Sequence, residues 1–367
     1  MINELFIILL STKTTTLMQV ILGIIFHTIG GISSGSFYMP FNKVKNWAWE
    51  NFWLMGGLFS WLIVPPIAAY LTVPNFSEII ASTASNIKST TYLMGLLWGI
   101  GGLTYGLGVR YLGMSLGNSV VLSFCSAFGA LVPSIYYNFN PTPGKTSFSD
   151  MLSNTGGQLV LLGVVVCLTG IGIAGKAGMM KENELTTEQK QASTKEFNLV
   201  KGLIIAIISG ILSSFFNFGI EAGKPMADEA VKQGFNPLFQ NNVTYVVILW
   251  GGLTTNLIWC LYLLFKNKTF GDFTKSEAPT SANIFYCGLA GTLWFLQFFF
   301  YGMGESKMGN GASSWILHMA TIILTANMWG LYLKEWSGVS KKTFRTFVIG
   351  ILTILASIVL VGIGNSL

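Results

Sequence analysis

The sequence predicts an all-α integral membrane protein with ten transmembrane helices in two inverted five-helix repeats. Three observations predict this fold class. Hydrophobic side chains make up 51% of the 367 residues and charged side chains only 10%, whereas a soluble protein carries about 25% charged residues. Ten apolar stretches are long enough to cross a bilayer, and motifs of the first half recur five stretches later. This composition disfavours a cytosolic enzyme, a disordered chain and a nucleic-acid-binding protein.

The first element of the prediction is the set of spans. A helix needs about 20 mostly apolar residues to cross about 30 Å of hydrocarbon, and runs of this length are too long for the strands of an outer-membrane barrel. The stretches cover residues 17–40, 50–71, 92–110, 116–138, 157–175, 202–222, 241–265, 284–304, 311–333 and 346–365. Residues 1–16 form an N-terminal extension, and because Met18 stands at the start of the first span, we expect a start-site artefact there.

Lysine and arginine are distributed unequally between the two sides of the predicted membrane protein. The segments that follow odd-numbered spans hold 15 of the 21 Lys and Arg, and the other segments hold 6. The positive-inside rule predicts that the side with 15 charges is cytoplasmic, so both termini are expected outside. The stretch Lys176–Lys201 is predicted to be a charged, solvated cytoplasmic linker between a first repeat over 17–175 and a second over 202–367.

Internal repetition is the second element of the prediction. The matching residues are Trp98, Tyr105, Gly106 and Gly108 in span three, and Trp294, Tyr301, Gly302 and Gly304 in span eight. Spans one and six share Gly-Ile-x-Ser-x-x-Phe, which begins at Gly31 and at Gly210. Each match pairs a span with the fifth span after it, and because five is odd the second half must cross in the opposite sense. Many secondary transporters have such inverted repeats, with the substrate site at the repeat interface.

Ionisable side chains inside a membrane are costly and mark functional sites, and the predicted spans contain few of them. We single out His27, His318 and Glu221, since imidazole titrates in the physiological range. The alternative for each histidine is a hydrogen bond to a neighbouring helix, and Glu221 can pair with Lys224 near the helix end.

Polar and aromatic side chains share helix faces with these groups. The candidates for substrate binding are Gln297, Trp294, Tyr301, Trp98, Tyr105, Ser34, Tyr38, Asn217 and Trp315. Such a mixture suits a sugar, because aromatic rings cover its C–H face while amides and hydroxyls bond its hydroxyl groups. Gln297 can equally serve as a polar contact between helices.

Signatures of catalysis and metal binding are missing from the sequence. It contains no HExxH, no Walker A motif and no Cys/His metal spacing, and its four cysteines all fall inside spans. We therefore predict no enzymatic activity, no catalytic residue, no metal and no cofactor other than a coupling ion.

Longer runs carry a family resemblance. They are Phe37-Tyr-Met-Pro-Phe-Asn-Lys-Val-Lys-Asn-Trp-Ala-Trp-Glu50, Trp98-Gly-Ile-Gly, Arg110-Tyr-Leu-Gly-Met-Ser115, Trp294-Phe-Leu-Gln-Phe-Phe-Phe-Tyr301, Ser314-Trp-Ile-Leu-His-Met319 and Leu333-Lys-Glu-Trp336. From about residue 18 to the C-terminus the chain resembles the L-rhamnose–proton symporter family of the drug/metabolite transporter superfamily. The resemblance implies a multi-pass carrier of the bacterial plasma membrane that takes up L-rhamnose, or a related 6-deoxyhexose, with protons.

Under this hypothesis spans one, three, six, eight and nine line a central cavity. We expect Trp294, Trp98 and Tyr105 or Tyr301 to stack on the sugar, and His27 or His318 to carry the proton, with Glu221 as a further candidate. We expect the amide and hydroxyl groups of Gln297, Asn217, Ser34 and Tyr38 to bond the sugar hydroxyls.

Other functions remain open at this stage. A carrier of the same fold with another substrate, direction or sodium coupling would share these features, and a membrane sugar sensor is a third reading. The expected partners are a small sugar and the lipid bilayer, without nucleic acid, and we expect a monomer or a weak dimer.

Overall fold

The computed structural model describes residues 2–139, 141, 147–186, 197–308 and 311–367, with side chains described from Met18 onward. Throughout these ranges the regular structure is helical. The helices of the first half are α1 (Ile2–Ser36), α2 (Tyr38–Phe41), α3 (Trp49–Gly57), α4 (Val64–Thr72), α5 (Phe76–Ser82), α6 (Ser85–Leu112), α7 (Met114–Phe139), α8 (Phe148–Ser153) and α9 (Thr155–Glu184). The second half contains α10 (Leu199–Ser213), α11 (Phe215–Ala222), α12 (Lys224–Lys232), α13 (Asn241–Asn267), α14 (Thr280–Met308), α15 (Gly311–Tyr332) and α16 (Lys341–Ser366).

Nine helical segments in the described ranges are long and apolar enough to cross a membrane. They are Met18–Phe41, Trp49–Thr72, Ser85–Leu112, Ser115–Phe139, Thr155–Lys181, Leu199–Lys232, Pro237–Asn267, Thr280–Lys307 and Lys341–Gly364. Each overlaps one of the spans predicted from the sequence. The remaining predicted span, 311–333, corresponds to α15, which packs against α1, α7 and α16.

The second membrane-crossing segment changes its helical geometry in the middle. A π-helix over Leu58–Ile63 joins α3 to α4. Pro65 and Pro66 come next after Val64, and proline lacks the N–H group that an α-helix needs there, so the hydrogen-bond register shifts before them. Within this segment the buried Trp61 ring lies against Gly57, where a Cβ atom would stand 2.4 Å from the ring.

The long helices pack in pairs around the centre of the bundle. α1 packs on α14 and α15, while α10 packs on α6 and α7. α13 lies against α6, α14 lies against α3, and α15 lies against α7. Glycines allow the closest approaches: a Cβ atom on Gly31 would stand 2.5 Å from Cβ of Thr321, and one on Gly210 would stand 2.5 Å from Cβ of Phe124.

α9 and α16 run along each other over most of their length. A Cβ atom on Gly170 would stand 2.9 Å from the backbone nitrogen of Ile354, and one on Gly364 would stand 2.6 Å from the backbone oxygen of Gly156. Small residues that let two backbones approach closely are the usual basis of helix association in membranes, where burial of apolar surface gives little driving force.

Five connecting segments meet at one end of the bundle. Asn283 bonds both the N–H and the C=O of Lys45, at 3.0 and 2.8 Å. At the same end, the backbone N–H of Asn198 donates to Tyr111 (3.0 Å) and that of Ser115 donates to the Glu335 carboxylate (3.0 Å). Arg110, at the end of α6, lies within electrostatic range of Glu50, at the start of α3. This interaction links the segments that Asn283 joins to those that contact Tyr111 and Ser115. These are the segments that hold 15 of the 21 basic residues.

The segment predicted as a solvated linker over 176–201 is in part helical and buried. α9 continues to Glu184, and Lys181 is only 2% exposed, beneath the rings of Phe197 and Trp336. Beyond the span, the Glu184 carboxylate accepts hydrogen bonds from Ser340 and Thr343 at the start of α16. These bonds favour the ionised form and lower the pKa of Glu184. The central part of the predicted linker, residues 187–196, lies outside the described residues.

Candidate functional site

A cavity of about 60 Å³, measured as the space open to the centre of a water-sized sphere, lies inside the bundle, where helices of both halves meet. Its walls come from α1, α6, α7, α10, α11, α14 and α15, and the lining residues are Ser34, Trp98, Gly102, Tyr105, Leu122, Cys125, Ser213, Phe216, Trp294, Gln297, Phe298, Tyr301, His318 and Met319. All five spans expected at the cavity therefore line it. The fourth span, which sequence reasoning left out, contributes Leu122 and Cys125.

One polar pair in the cavity wall joins the two halves of the chain. Ser34 donates from Oγ to Oε1 of Gln297 at 2.8 Å, and Nε2 of Gln297 donates to the backbone oxygen of Trp294 at 3.0 Å. Both side chains are buried, with Gln297 only 6% exposed. The amide is thus held in a fixed orientation, and among the described residues its second N–H has no acceptor, so it can donate to a hydroxyl group in the cavity.

Two tryptophans form the aromatic part of the wall. Trp98 lies 5.0 Å from Phe216 and 5.7 Å from Phe298, measured between ring centroids. Trp294 lies 4.3 Å from Phe37 and 5.4 Å from Tyr105. These contacts fix both indole rings at the cavity, so an apolar sugar face can stack there without reordering the side chains.

Residues at matching positions of the two sequence motifs line the cavity in pairs. Ser34 and Ser213 both line it, as do the pairs Trp98 with Trp294 and Tyr105 with Tyr301. One difference between the matching residues affects the free space: Phe298 fills the wall of α14, but the residue that matches it in α6 is Gly102. A Cβ atom on Gly102 would meet no atom within 4 Å. The free space of the cavity therefore lies beside Gly102.

A cluster of three aromatic polar side chains stands at the cavity wall. The Tyr301 ring lies 5.5 Å from His27 and 5.4 Å from His318, and the two imidazoles are 5.9 Å apart. His27 is fully buried and packs on Gly304, where a Cβ atom would stand 2.5 Å from Nε2. Within the described part of the chain, both nitrogens of His27 and Nδ1 of His318 have no hydrogen-bond partner.

The other sequence candidates lie away from the cavity lining. Tyr38 packs against Phe37 and Phe41, and Asn217 is half-buried without lining the cavity. Glu221 is exposed at the end of α11. Lys224, its suggested partner, forms an ion pair with Asp228 at 3.2 Å. The side chain of Trp315 lies outside the described residues.

Sequence reasoning also missed Glu305, an ionisable group in a membrane-crossing helix. The predicted span ended at residue 304, whereas α14 continues to Met308. Glu305 lies within electrostatic range of Tyr301 and Tyr245. Its position one helical turn after Tyr301 is the signal that could have found it, since residues four apart share a helix face.

The Tyr105 side chain, which lines the cavity, is held in place by a hydrogen bond to a neighbouring helix. Its hydroxyl donates to Oδ1 of Asn118, a buried residue of α7. The ring therefore keeps its position beside Trp294, and the hydroxyl is less free for a ligand than the geometry of the ring alone indicates.

Comparisons with known proteins agree with one another. The profile of a family described as "L-rhamnose-proton symport protein" matches residues 17–366. The chain is 38% identical to the L-rhamnose-proton symporter of Yersinia pestis (strain Pestoides F) over 350 residues, which cover 94% of this chain and 98% of the relative. It is 36% identical to the L-rhamnose-proton symporter of Escherichia coli (strain K12 / DH10B) over 348 residues, which cover 94% and 97%. The chain belongs to the L-rhamnose–proton symport protein family.

Membership in the L-rhamnose–proton symport protein family confirms the resemblance drawn from the sequence. The family consists of transporters, so the prediction of a multi-pass membrane carrier rather than an enzyme is confirmed. Among the described residues, no three His, Cys, Asp or Glu side chains come together as metal ligands would.

Proposed function

We propose that this protein imports L-rhamnose, or a closely related 6-deoxyhexose, together with protons by alternating access. The observation that carries the proposal is the composition of the cavity in a member of this family. Trp98 and Trp294 provide rings for the apolar face of a deoxy-sugar, and the Ser34–Gln297 pair provides polar groups for its hydroxyls. Leu122 and Met319 add an apolar wall that suits the C6 methyl group of such a sugar.

The proposed architecture has ten spans in two inverted repeats, with α15 as the ninth span. The packing pairs support it. If each span is exchanged for the one five positions away, the contact of α1 with α14 becomes that of α10 with α6, and the contact of α1 with α15 becomes that of α10 with α7. The glycines follow the same exchange, because Gly31 packs on α15 and its sequence match Gly210 packs on α7.

The proposed orientation places both termini outside and the end that carries Asn283 and Glu335 in the cytoplasm. The concentration of basic residues in the segments at that end supports it. The buried rings of Phe37, Trp294 and Tyr105 contact one another, and the last two line the cavity. We propose that these rings separate the cavity from the cytoplasm and part when the repeats rock.

Roles follow from the geometry of the cavity. Gln297 and Ser34 bond sugar hydroxyls, Trp98 and Trp294 stack on its C–H face, and the His27–Tyr301–His318 cluster links proton binding to sugar binding. Linkage requires reciprocity: if protonation strengthens sugar binding, bound sugar must strengthen proton binding by the same factor.

The decisive experiment is uptake of labelled L-rhamnose into proteoliposomes that contain the purified protein. An inward proton gradient, an inward sodium gradient and no gradient are compared, with protein-free vesicles as the control. We expect accumulation above equilibrium with the proton gradient alone.

Each other outcome contradicts a defined part of the proposal. Accumulation with sodium alone would contradict proton coupling, and equilibration without accumulation would contradict active transport. Neither binding nor uptake of L-rhamnose would contradict the substrate, and other 6-deoxyhexoses would then be compared in the same vesicles.

A further inference from the structure

Glu305 occupies a position in α14 that is close to the cavity but not in its lining. It follows Tyr301 by four residues and Gly302 by three, so the three residues share a helix face. Tyr245 of α13 crosses this face, and its hydroxyl would stand 3.1 Å from a Cβ atom on Gly302. The half-buried carboxyl of Glu305 is therefore adjacent to two buried tyrosines, with which it interacts electrostatically.

Tyr301 continues the path from this carboxyl towards the cavity. Its ring contacts His27 on one side and His318 on the other, at 5.5 and 5.4 Å between ring centroids. His318 and Tyr301 both line the cavity. Glu305, Tyr301 and the two imidazoles thus follow one another from the end of α14 to the cavity wall.

The charged and titratable groups around Glu305 come from several helices. α13 contributes Tyr245, and His27 of α1 and His318 of α15 lie beyond Tyr301. α12 contributes Lys224, which lies within electrostatic range but is 67% exposed and paired with Asp228. Lys307, on α14 itself, lies in the same segment towards the helix end. A carboxylate here is thus surrounded mainly by neutral hydroxyl and imidazole groups.

The repeat indicates that the fold itself does not require an acid at this position. The alignment of Tyr105 with Tyr301 places Val109 at the position that matches Glu305. Val109 is buried in the core of the first half. An ionisable group that replaces an apolar repeat partner inside a membrane is expensive, and such groups mark functional sites.

We propose that Glu305 is the group that binds the coupling proton and that Tyr301 connects its protonation to His27 and His318 at the cavity wall. This inference rests on the proposed function and on its orientation, in which the Glu305 end of α14 faces outside. It assigns the proton to a carboxyl group and gives the histidines a connecting role.

The proton moves in a balanced step. A proton from the outer water binds the Glu305 carboxylate and converts it from a hydrogen-bond acceptor into a neutral donor. The Tyr301 O–H, no longer attracted by a negative charge, can turn to an imidazole nitrogen of His27 or His318. Because His318 lines the cavity, this change alters the wall that the sugar meets. The proton leaves to the cytoplasmic water when the repeats have rocked.

The test compares Glu305→Gln with the wild type in proteoliposomes. Glutamine resembles the protonated carboxyl in shape and charge, so we expect sugar exchange without a gradient, measured as counterflow, to persist. We expect accumulation driven by the proton gradient to fall about tenfold or more, as the loss of a coupling free energy predicts. Glu78→Gln, on the exposed surface of α5 at the same end, is the matched control and should change neither quantity.

Proton-driven accumulation by Glu305→Gln equal to that of the wild type would overturn the inference. Glu305→Asp keeps a carboxyl group and should restore accumulation, with its pH dependence displaced. If Glu305→Gln does not insert, accumulation by Glu305→Asp with an unchanged pH dependence would overturn the proposal.

A second readout does not depend on the substrate. Proton uptake by the purified protein is followed with an indicator dye as the pH is lowered from about 8 to about 5.5, a range in which exposed carboxyl groups stay ionised. In this range it should be smaller by one proton in Glu305→Gln than in Glu78→Gln. Equal proton uptake by the two variants would overturn the inference even if L-rhamnose proved not to be the substrate. If the wild type does not take up L-rhamnose but the two variants still differ by one proton, only the proposed function is contradicted.

Discussion

Single residues decide where a ligand can sit in a cavity that both halves of the chain line with matching tryptophan, tyrosine and serine residues. Phe298 fills one wall, and Gly102 leaves the matching position of the other wall open. The Ser34–Gln297 pair, the Trp294 ring and His318 border the same cavity. A sugar that stacks on an indole and bonds Gln297 must therefore use the space beside Gly102.

Gly102→Leu should lower the affinity for the sugar without unfolding the protein. The new side chain enters space where no atom lies within 4 Å of its Cβ, and leucine is a better helix former than glycine. We expect the affinity for L-rhamnose to fall about tenfold or more, which corresponds to about 1.4 kcal/mol. Isothermal titration of the purified protein measures the change.

The matched control for this variant is Gly172→Leu. Gly172 also has no atom within 4 Å of a Cβ position, but it lies on the exposed surface of α9. The control should bind L-rhamnose as the wild type does. Unchanged binding by Gly102→Leu would show that the sugar does not occupy this part of the cavity.

Whole helices are held by close backbone contacts, and α9 with α16 is the most extensive case. Their glycines replace the buried apolar side chains that join helices in soluble proteins, because lipid gives no hydrophobic force between helices. Sequence patterning located both helices. It did not show that they lie against each other, because each is apolar on all sides.

Gly170→Leu should destabilise the protein at this contact. A Cβ atom there would stand 2.8 Å from Cγ1 and 2.9 Å from the backbone nitrogen of Ile354, so the helices must separate. We expect a loss of about 2 kcal/mol or more, as for other overpacked sites. Thermal unfolding in detergent measures it, and Gly172→Leu, only two residues away, should unfold as the wild type does. Equal stability of the two variants would refute a tight α9–α16 contact.

At the scale of the whole molecule, alternating access requires that the cavity open to each side in turn. Cys125 lines the cavity, whereas the side chains of Cys167, Cys260 and Cys287 are buried elsewhere. The Cys125 thiol is therefore a natural reporter of access from water.

A small methanethiosulfonate reagent should modify Cys125 and inhibit uptake, and L-rhamnose should protect it. We expect modification to slow about tenfold when the sugar is present at ten times its Kd, because only unoccupied protein reacts. Mass spectrometry of the labelled protein measures the rate, and Cys125→Ser is the control. Modification that sugar does not slow would contradict a shared cavity.

The sequence by itself determined the membrane class and the nine membrane-crossing segments found in the described residues. These properties are local: span length, hydropathy and spacing along a helix can all be read from neighbouring positions. The matching motifs also identified Trp98, Trp294, Tyr105, Tyr301 and the two serines, all of which line the cavity.

Only the tertiary structure decided which face of each helix turns inward. That rotation is set by contacts between distant segments, such as Gly31 on Thr321, and an apolar helix does not reveal it by periodicity. Tyr38 and Asn217 thus lie off the cavity lining, whereas Leu122, Cys125 and Gly102 line it. The same contacts bring Glu305, one turn past the predicted end of its span, beside Tyr301, because the helix and its packing extend further than hydropathy alone predicts.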